Sequence, residues 1–294
     1  MRIAVIHDTD NDGFMAAAVI KNRYPQADFF PARTYDLERL KDLPRLLHGY
    51  DDIYMVDLSA PVEVMDAIAN EAQGNFFWFD HHPSAADLFG KYAGNQMIGK
   101  SACLLTFEWL YPNEGLPEAV DFTNRYDLFI QQDGLLFANI ILPFQCIMGR
   151  LRSVELYRLI LISEEDEFER LVELGEALWV EEQRAFESAE KLSFRWLREK
   201  STLLKGLRDK PRQPYKFVLT RGMRNPGRVA WLLRQGGATE DFYINQNEKN
   251  GKFTHSIRSL SQEADCLDFI KEFRLKGGGH HKAAGFSSEF NLFT

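Results

Sequence analysis

The first 150 residues alternate short, β-rich apolar runs with amphipathic stretches, and this alternation restricts what the chain can fold into. The runs are Arg2–Asp8, Asp52–Leu58 and Asn75–Asp80. Between them lie Gly13–Arg23 and Pro61–Gln73, the second opened by Ser59 and Pro61 as helix-start signals. Strand and helix in alternation predict a parallel sheet in an α/β domain. Each of the three strands closes on acidic residues, and in open α/β sheets sites collect beyond the carboxyl ends of the strands.

Beyond residue 150 the pattern changes. Residues 151–211 read as a helical linker, rich in Glu, Leu and Arg as far as about 204. A second, smaller α/β domain is predicted from 212 to 294. It holds a strand at Tyr215–Thr220, then a helix capped by Asn225-Pro226 and ending at Gly236-Gly237. Strands at Asp241–Asn245 and Phe253–Arg258 follow, joined through the hairpin signal Asn250-Gly251.

Composition narrows the function classes. The chain has 294 residues and a formal net charge of −8, against the basic surface that tracking along a long nucleic acid requires. Its charge is uneven. Residues 163–190 carry eleven acidic side chains against two basic ones, and residues 195–234 carry twelve Lys or Arg against two acids. The first reads as a solvated acidic helix. The second is a basic helix end and loop, or a set of arginines facing an anionic substrate. Cys103, Cys146 and Cys266 are odd in number and form no CxxC pair, which fits a reducing cytoplasm. No leader is expected, and no apolar run is expected to approach the ~18 residues of a membrane helix.

The chemistry concentrates in the acidic strand ends. In His7-Asp8-Thr9-Asp10-Asn11-Asp12-Gly13, alternate residues of an extended chain share a side, so Asp8, Asp10 and Asp12 are predicted to converge. Three carboxylates together repel one another unless a cation neutralises them. The pattern matches the first half of a calcium-binding EF-hand loop, but the twelfth position is Val19 and the entering segment is a strand. A solvated acidic turn is the plainer alternative. Asp57 closes the second strand, as a ligand or as a cap for the next helix. Asp80-His81-His82 closes the third, and Asp127 lies in Asn124-Arg125-Tyr126-Asp127-Leu128. Oxygen donors with one or two imidazoles suit Mn²⁺ or Mg²⁺, imidazole favouring Mn²⁺.

Taken in order, these motifs resemble the DHH phosphoesterase superfamily, whose name is the triplet seen here as Asp80-His81-His82. The run Gly277-Gly278-Gly279-His280-His281-Lys282-Ala283-Ala284-Gly285 looks like the glycine-rich signature of the DHHA1 domain that usually accompanies it. His255-Ser256-Ile257-Arg258-Ser259 resembles that domain's substrate-facing strand. The resemblance covers about 1–150 and 212–290. It implies a metal-binding DHH domain over 1–150 and a DHHA1 substrate domain over 212–294. It also implies two Mn²⁺ ions, with Mg²⁺ or Co²⁺ as substitutes. Asp8, Asp10 and Asp57 would hold one ion; Asp12, Asp57, His81 and Asp127 would hold the other. Asp80 would orient His81, and His82 would act at the scissile phosphate. Arg258, Gly277, Gly278, Gly279 and His280 would bind substrate. His7 stays an alternative ligand, although alternation points it away from Asp8.

The implied activity is a phosphodiesterase or oligoribonuclease-like hydrolase. Its lead substrate is a linear dinucleotide such as pGpG, or similarly short RNA, cut to mononucleotides. An exopolyphosphatase or pyrophosphatase of the same superfamily is the alternative. A nucleotide-binding regulatory module with decayed chemistry is the reading from another class. With nine residues after Gly285, a processive exonuclease with an added strand-binding domain is not expected. Phe286, Tyr243 and Phe253 are candidates for stacking on a base. The expected partner is a short nucleotide, not long double-stranded nucleic acid or a membrane, and a homodimer is allowed.

Overall fold

In a computed structural model of the chain, residues 1–33, 37–189, 191–195, 215–223, 225–249 and 251–288 are described. They fall into two compact units, Met1–Val180 and Glu181–Thr294.

The first unit is built on β1 (Ile3–His7), α1 (Asn11–Arg23), β2 (Asp28–Pro31), α2 (Leu37–Leu46), β3 (Asp52–Val56), α3 (Val62–Glu71), β4 (Asn75–Asp80) and β5 (Ala93–Gln96). All five strands are parallel, in the order β2-β1-β3-β4-β5. The chain leaves β1 for β2 on one side and returns to β3 on the other, so a crevice opens beyond the carboxyl ends of β1 and β3. Asp8 and Asp57 are the first residues past those two ends. Alternate residues serve two layers. Ala4, Ile6, Ile53, Met55 and Trp78 pack with Leu40, Leu43, Val64, Met65 and Ile68 on one face. On the other, Tyr54 stacks on Phe77 with ring centroids 4.9 Å apart.

Two strands of this sheet, β2 and β5, have no counterpart in the sequence pattern. In β5, Ala93-Gly94-Asn95-Gln96 has little β propensity. It pairs because Gly94 adopts φ +110° and approaches β4 where a Cβ would lie 2.2 Å from the Trp78 carbonyl oxygen.

Next come α4 (Ala102–Leu110), α5 (Glu118–Asp127), α6 (Gly134–Leu136), a π-helical segment (Phe137–Ile141), α7 (Leu142–Leu151), α8 (Val154–Leu161) and α9 (Glu165–Ser188). The expectation that no run reaches membrane length is overturned by Gly134–Leu151, a helical stretch of 18 residues with mean hydropathy 1.5. Its apolar character serves internal packing: Leu142, Phe144, Cys146 and Met148 are buried in the first unit. Helix α8 packs on α1. In α9, Gly175 lies where a Cβ would be 2.0 Å from the Pro143 carbonyl oxygen, so only glycine lets it approach α7. The front part of the expected linker thus packs into the first unit. Its remainder is helical to Ser188 and then, against the expected helical linker, a strand at Leu192–Arg195; residues 196–214, with half of the basic stretch and the onset at Arg212–Pro214, lie outside the described residues.

The second unit contains β6 (Leu192–Arg195), β7 (Lys216–Arg221), α10 (Pro226–Gln235), β8 (Phe242–Lys249), β9 (Lys252–Ser259), α11 (Cys266–Glu272), β10 (Lys276–Gly279) and β11 (Ala283–Ser288). Its sheet order is β10-β11-β9-β8-β7-β6, with β7 and β8 parallel and the other neighbours antiparallel. Phe217, Leu219, Phe242 and Ile244 join Ile257 and Phe269 on one face, while Val218 and Tyr243 join Val229 and Ala230 on the other. This settles the stacking candidates. Tyr243 is fully buried and Phe286 is 5% exposed; both are core residues that cannot meet a base. Phe253 is half-buried, and Asn250 lies outside the described residues.

Candidate metal centre

The Asp8–Asp12 motif is a strand-to-helix turn. Strand β1 stops at His7 and α1 starts at Asn11, so Asp12 already lies in the first helical turn. The sequence argument placed the three carboxylates by extended alternation; the turn places them instead. Asp10 caps α1, its Oδ1 accepting from the Gly13 N–H at 3.0 Å. The Asp8 carboxylate accepts from the Thr9 N–H. A Cβ on Gly13 would sit 2.5 Å from the Asp8 carbonyl oxygen, so the helix can start against this strand end only with glycine there. Asp12 is buried at the amino end of α4, accepting from the Ala102 N–H at 2.7 Å and the Cys103 N–H at 2.9 Å. Each carboxylate oxygen keeps a second lone pair for another partner.

Asp57 follows β3 with φ +56°, in the left-handed region that a non-glycine residue seldom adopts. Its N–H donates to the Phe79 carbonyl at 2.8 Å, which ties it to β4. At the end of β4, the Asp80 Oδ1 accepts from the His81 N–H at 2.8 Å, the His82 N–H at 3.2 Å and the His82 ring Nδ1 at 2.6 Å. The ring that Asp80 grips is thus His82, whereas the resemblance assigned it to His81. His81 Nε2 lies 3.5 Å from Asp12 Oδ2, 3.4 Å from Asp57 Oδ1 and 3.3 Å from Asp127 Oδ2, the last at the end of α5.

The electrostatics are those of crowded acids. Burial, then the charges of Asp10, Asp12, Asp127 and Asp8, push the Asp57 carboxyl well above its ordinary range. Burial and the neighbouring Asp10 push Asp8 up to about 7. Burial draws the His81 ring toward its neutral form, against the pull of Asp12. Burial opposes charge on His82 too, but the charge and hydrogen bond of Asp80 outweigh it and raise the ring to about 9.

These donors fit a hard divalent cation. Donor atoms bonded at about 2.1 Å in octahedral geometry sit about 3 Å apart, and the separations around His81 Nε2 run from 3.3 to 3.5 Å. Asp57 Oδ2 is buried without a hydrogen-bond partner among the described residues. Such an atom is costly unless a cation meets it. One oxygen of Asp12, one of Asp57 and one nitrogen of His81 all lie within 4.8 Å of one another.

His7 is turned elsewhere. Its buried ring packs against Phe14 and Phe29, and Nδ1 approaches the Asp8 carbonyl oxygen at 2.6 Å. In the second unit, Arg258 Nη1 donates to the carbonyls of Ile257 and Ala284 at 2.9 and 3.3 Å. Gly277–Gly279 form edge strand β10, not a loop, and a Cβ on Gly277 would meet the Gly285 carbonyl oxygen at 2.0 Å. His280 closes the hairpin, its N–H donating to Ala283 at 2.6 Å. The Lys282 ammonium donates to the carbonyls of Gln262 and Ser261 at 2.8 and 3.2 Å.

Sequence reasoning missed a buried network behind the motif. Asn11, between two of the acids, donates to Gln145 Oε1 at 2.5 Å and accepts from the Tyr157 hydroxyl at 3.0 Å. Gln145 Nε2 donates to Thr123 at 3.1 Å, on the helix that ends with Asp127. A lone amide in the otherwise apolar run Leu142–Met148 was the available signal.

No protein-family model and no curated protein matches the sequence. Solved structures do match the fold. RecJ in complex with Mn²⁺ from Thermus thermophilus is 17% identical with a TM-score of 0.53, covering 97% of this chain and 49% of its own. An exopolyphosphatase-related protein from Bacteroides fragilis is 14% identical with a TM-score of 0.51, covering 99% and 88%. A pGpG-specific phosphodiesterase from Vibrio cholerae is 14% identical with a TM-score of 0.47, covering 97% and 92%. This chain thus spans about half the length of the RecJ chain. A five-stranded parallel sheet with acids at its carboxyl edge, followed by a smaller mixed sheet, is the fold this chain shares with RecJ from Thermus thermophilus and with the exopolyphosphatase-related protein from Bacteroides fragilis.

Proposed function

We propose that the chain is a metal-dependent phosphodiesterase that cleaves short linear nucleotides, pGpG or similarly short RNA, to mononucleotides. The observation that carries this reading is the convergence of Asp12, Asp57, Asp127 and His81 Nε2 at the sheet's switch point, with Asp57 Oδ2 buried and unbonded. On this reading Asp8, Asp10 and Asp57 hold one cation, and Asp12, Asp57, His81 and Asp127 hold the other. When bound, a pair of Mn²⁺ ions supplies a water of lowered pKa and neutralises charge on the phosphoryl oxygens.

The chain's own residues do the rest. Asp57 would serve both cations, because its two oxygens have different surroundings: Oδ1 lies toward His81, and Oδ2 has no hydrogen-bond partner among the described residues. Asp80 fixes the His82 ring through Nδ1, which leaves Nε2 as the nitrogen that meets a phosphoryl or leaving-group oxygen. In the second unit, edge strand β10 carries no Cβ over Gly277–Gly279. Its outer row of backbone groups can therefore approach a nucleotide closely. Arg258 and His280 are the side chains assigned to the substrate's anionic groups. A net charge of −8 favours short substrates over a long polyanion.

The test is Mn²⁺-dependent hydrolysis of a matched panel: pGpG, other dinucleotides, longer RNA, cyclic di-GMP and polyphosphate. Mononucleotide release confined to the shortest substrates supports the proposal. Phosphate release from polyphosphate alone keeps the centre and replaces the substrate. Inertness toward the whole panel favours a nucleotide-binding regulatory module.

A further inference from the structure

Thr9, between the first two acids of the motif, is held by two arginines from distant parts of the chain. Arg33, just past β2, donates from Nε to the Thr9 hydroxyl at 2.5 Å. Arg152, just past α7, donates from Nη1 to the Thr9 carbonyl at 2.9 Å and from Nε to the Gly149 carbonyl at 3.3 Å. Both residues are solvent-exposed. Two guanidinium groups therefore sit at the rim of a centre whose other side chains are almost all acids.

Two features argue against a purely structural role. Arg152 occupies the C-cap of α7 in the left-handed conformation, φ 46° and ψ 39°. Helices favour glycine or asparagine there, because a side chain adds steric cost. Fixed positive charge beside a cation site also opposes cation binding. Both costs are offset if the guanidiniums receive an anion that binds together with the metals. A guanidinium offers five N–H donors in a planar fork, which matches the oxygens of a phosphate.

We infer that Arg33 and Arg152 form a phosphate subsite, placed to take a terminal phosphomonoester of the substrate next to the phosphodiester that is cut. This rests on the proposed phosphodiesterase reading and makes it more specific. The preferred substrate is a dinucleotide that carries a terminal phosphate, rather than one that ends in a hydroxyl. The subsite is built from residues of the first unit alone, whereas Arg258 and His280 belong to the second.

The experiment compares kcat/KM for pGpG and for GpG in the wild type, Arg33→Ala, Arg152→Ala and the two lysine variants. Mn²⁺ affinity is measured on the same proteins by calorimetry. The subsite predicts a wild-type preference for pGpG that falls about 10- to 100-fold in either alanine variant, the range for losing a charge-assisted, forked contact. Lysine should restore it only in part, and Mn²⁺ affinity should hold or rise in the alanine variants, which lose a charge that opposes the cation. A clamp that only positions Thr9 would lower kcat/KM equally on both substrates and weaken Mn²⁺ binding, which would overturn the inference. If the wild type cleaves neither dinucleotide, the phosphodiesterase reading fails, and the subsite is tested by titrating 5′-GMP into the Mn²⁺-loaded protein. Binding that weakens about 10-fold or more in both alanine variants upholds the subsite, and absent or unchanged binding refutes it.

Discussion

Replacing Asp57 by asparagine should make the metal-free protein more stable while destroying the metal site. Asparagine keeps the shape of the side chain and tolerates the left-handed backbone at φ +56° almost as well as glycine. What it removes is a buried carboxylate crowded by Asp8, Asp10, Asp12 and Asp127. Two unit charges about 5 Å apart repel by about 3 kcal/mol at an effective dielectric constant of 20. An amide N–H left without a partner returns about 1 kcal/mol of that gain. The net is about 2 kcal/mol, or about 4–8 °C in the melting temperature of a unit this size. Mn²⁺ should act in the opposite sense. At 100 times its Kd, a bound ion stabilises the wild type by about 2.7 kcal/mol, and that increment should be missing from the variant. Thermal melts in EDTA and in excess Mn²⁺ read both effects. An Asp57→Asn protein that melts lower than the wild type in EDTA, or gains as much from Mn²⁺, would refute the reasoning.

Three other predictions follow from the packing. Gly13→Ala places a Cβ 2.5 Å from the Asp8 carbonyl oxygen. It should cost about 1–3 kcal/mol by overpacking and, by displacing the acids about 1 Å, reduce turnover about 100-fold; denaturant titration and initial rates check the two parts. Gln145→Leu removes the link between Asn11 and Thr123. It should weaken Mn²⁺ affinity about 10- to 100-fold, as loss of a supporting partner does, which calorimetry reads directly. His255 is buried against Phe286, and burial lowers its ring to about 4. Since the unfolded ring titrates near the ordinary 6.5, the unfolded state binds more protons between these values. Stability is therefore full above about pH 6.5 and falls by about 3 kcal/mol as the pH drops toward 4. Ring NMR should show His255 neutral at pH 5, and a ring already protonated there would contradict this.

Much of the centre was legible because its ligands lie in short local motifs. Asp57 and Asp80 stand at strand ends that hydrophobic patterning already marks, and Asp8-x-Asp10-x-Asp12-Gly13 is contiguous. The physical cause of the convergence was not legible. Extended alternation seemed sufficient for Asp8, Asp10 and Asp12, whereas a helix starting at Asn11 and the N–H groups of α4 place Asp12. Residues that act through tertiary contact left weaker traces. Gln145 looks like one polar residue in an apolar stretch until Asn11 and Thr123 arrive from elsewhere in the chain. Arg33 and Arg152 share no local motif with Thr9. Strand β5 was missed because close approach by Gly94, rather than β propensity, creates it. The stacking role considered for Tyr243 and Phe286 failed for a related reason: in a sheet covered on both faces, aromatic residues fill the core.

The central claim is that the acids at the ends of β1, β3 and β4 hold a pair of cations through Asp57. The most direct test is a crystal of the protein grown with Mn²⁺, with the anomalous signal recorded at the manganese edge. The account predicts two anomalous peaks in the first unit, both within bonding distance of Asp57, one beside Asp8 and Asp10 and the other beside Asp12, His81 and Asp127. Peaks elsewhere, or an Asp57 carboxylate that contacts no metal in a Mn²⁺-loaded crystal, would contradict it.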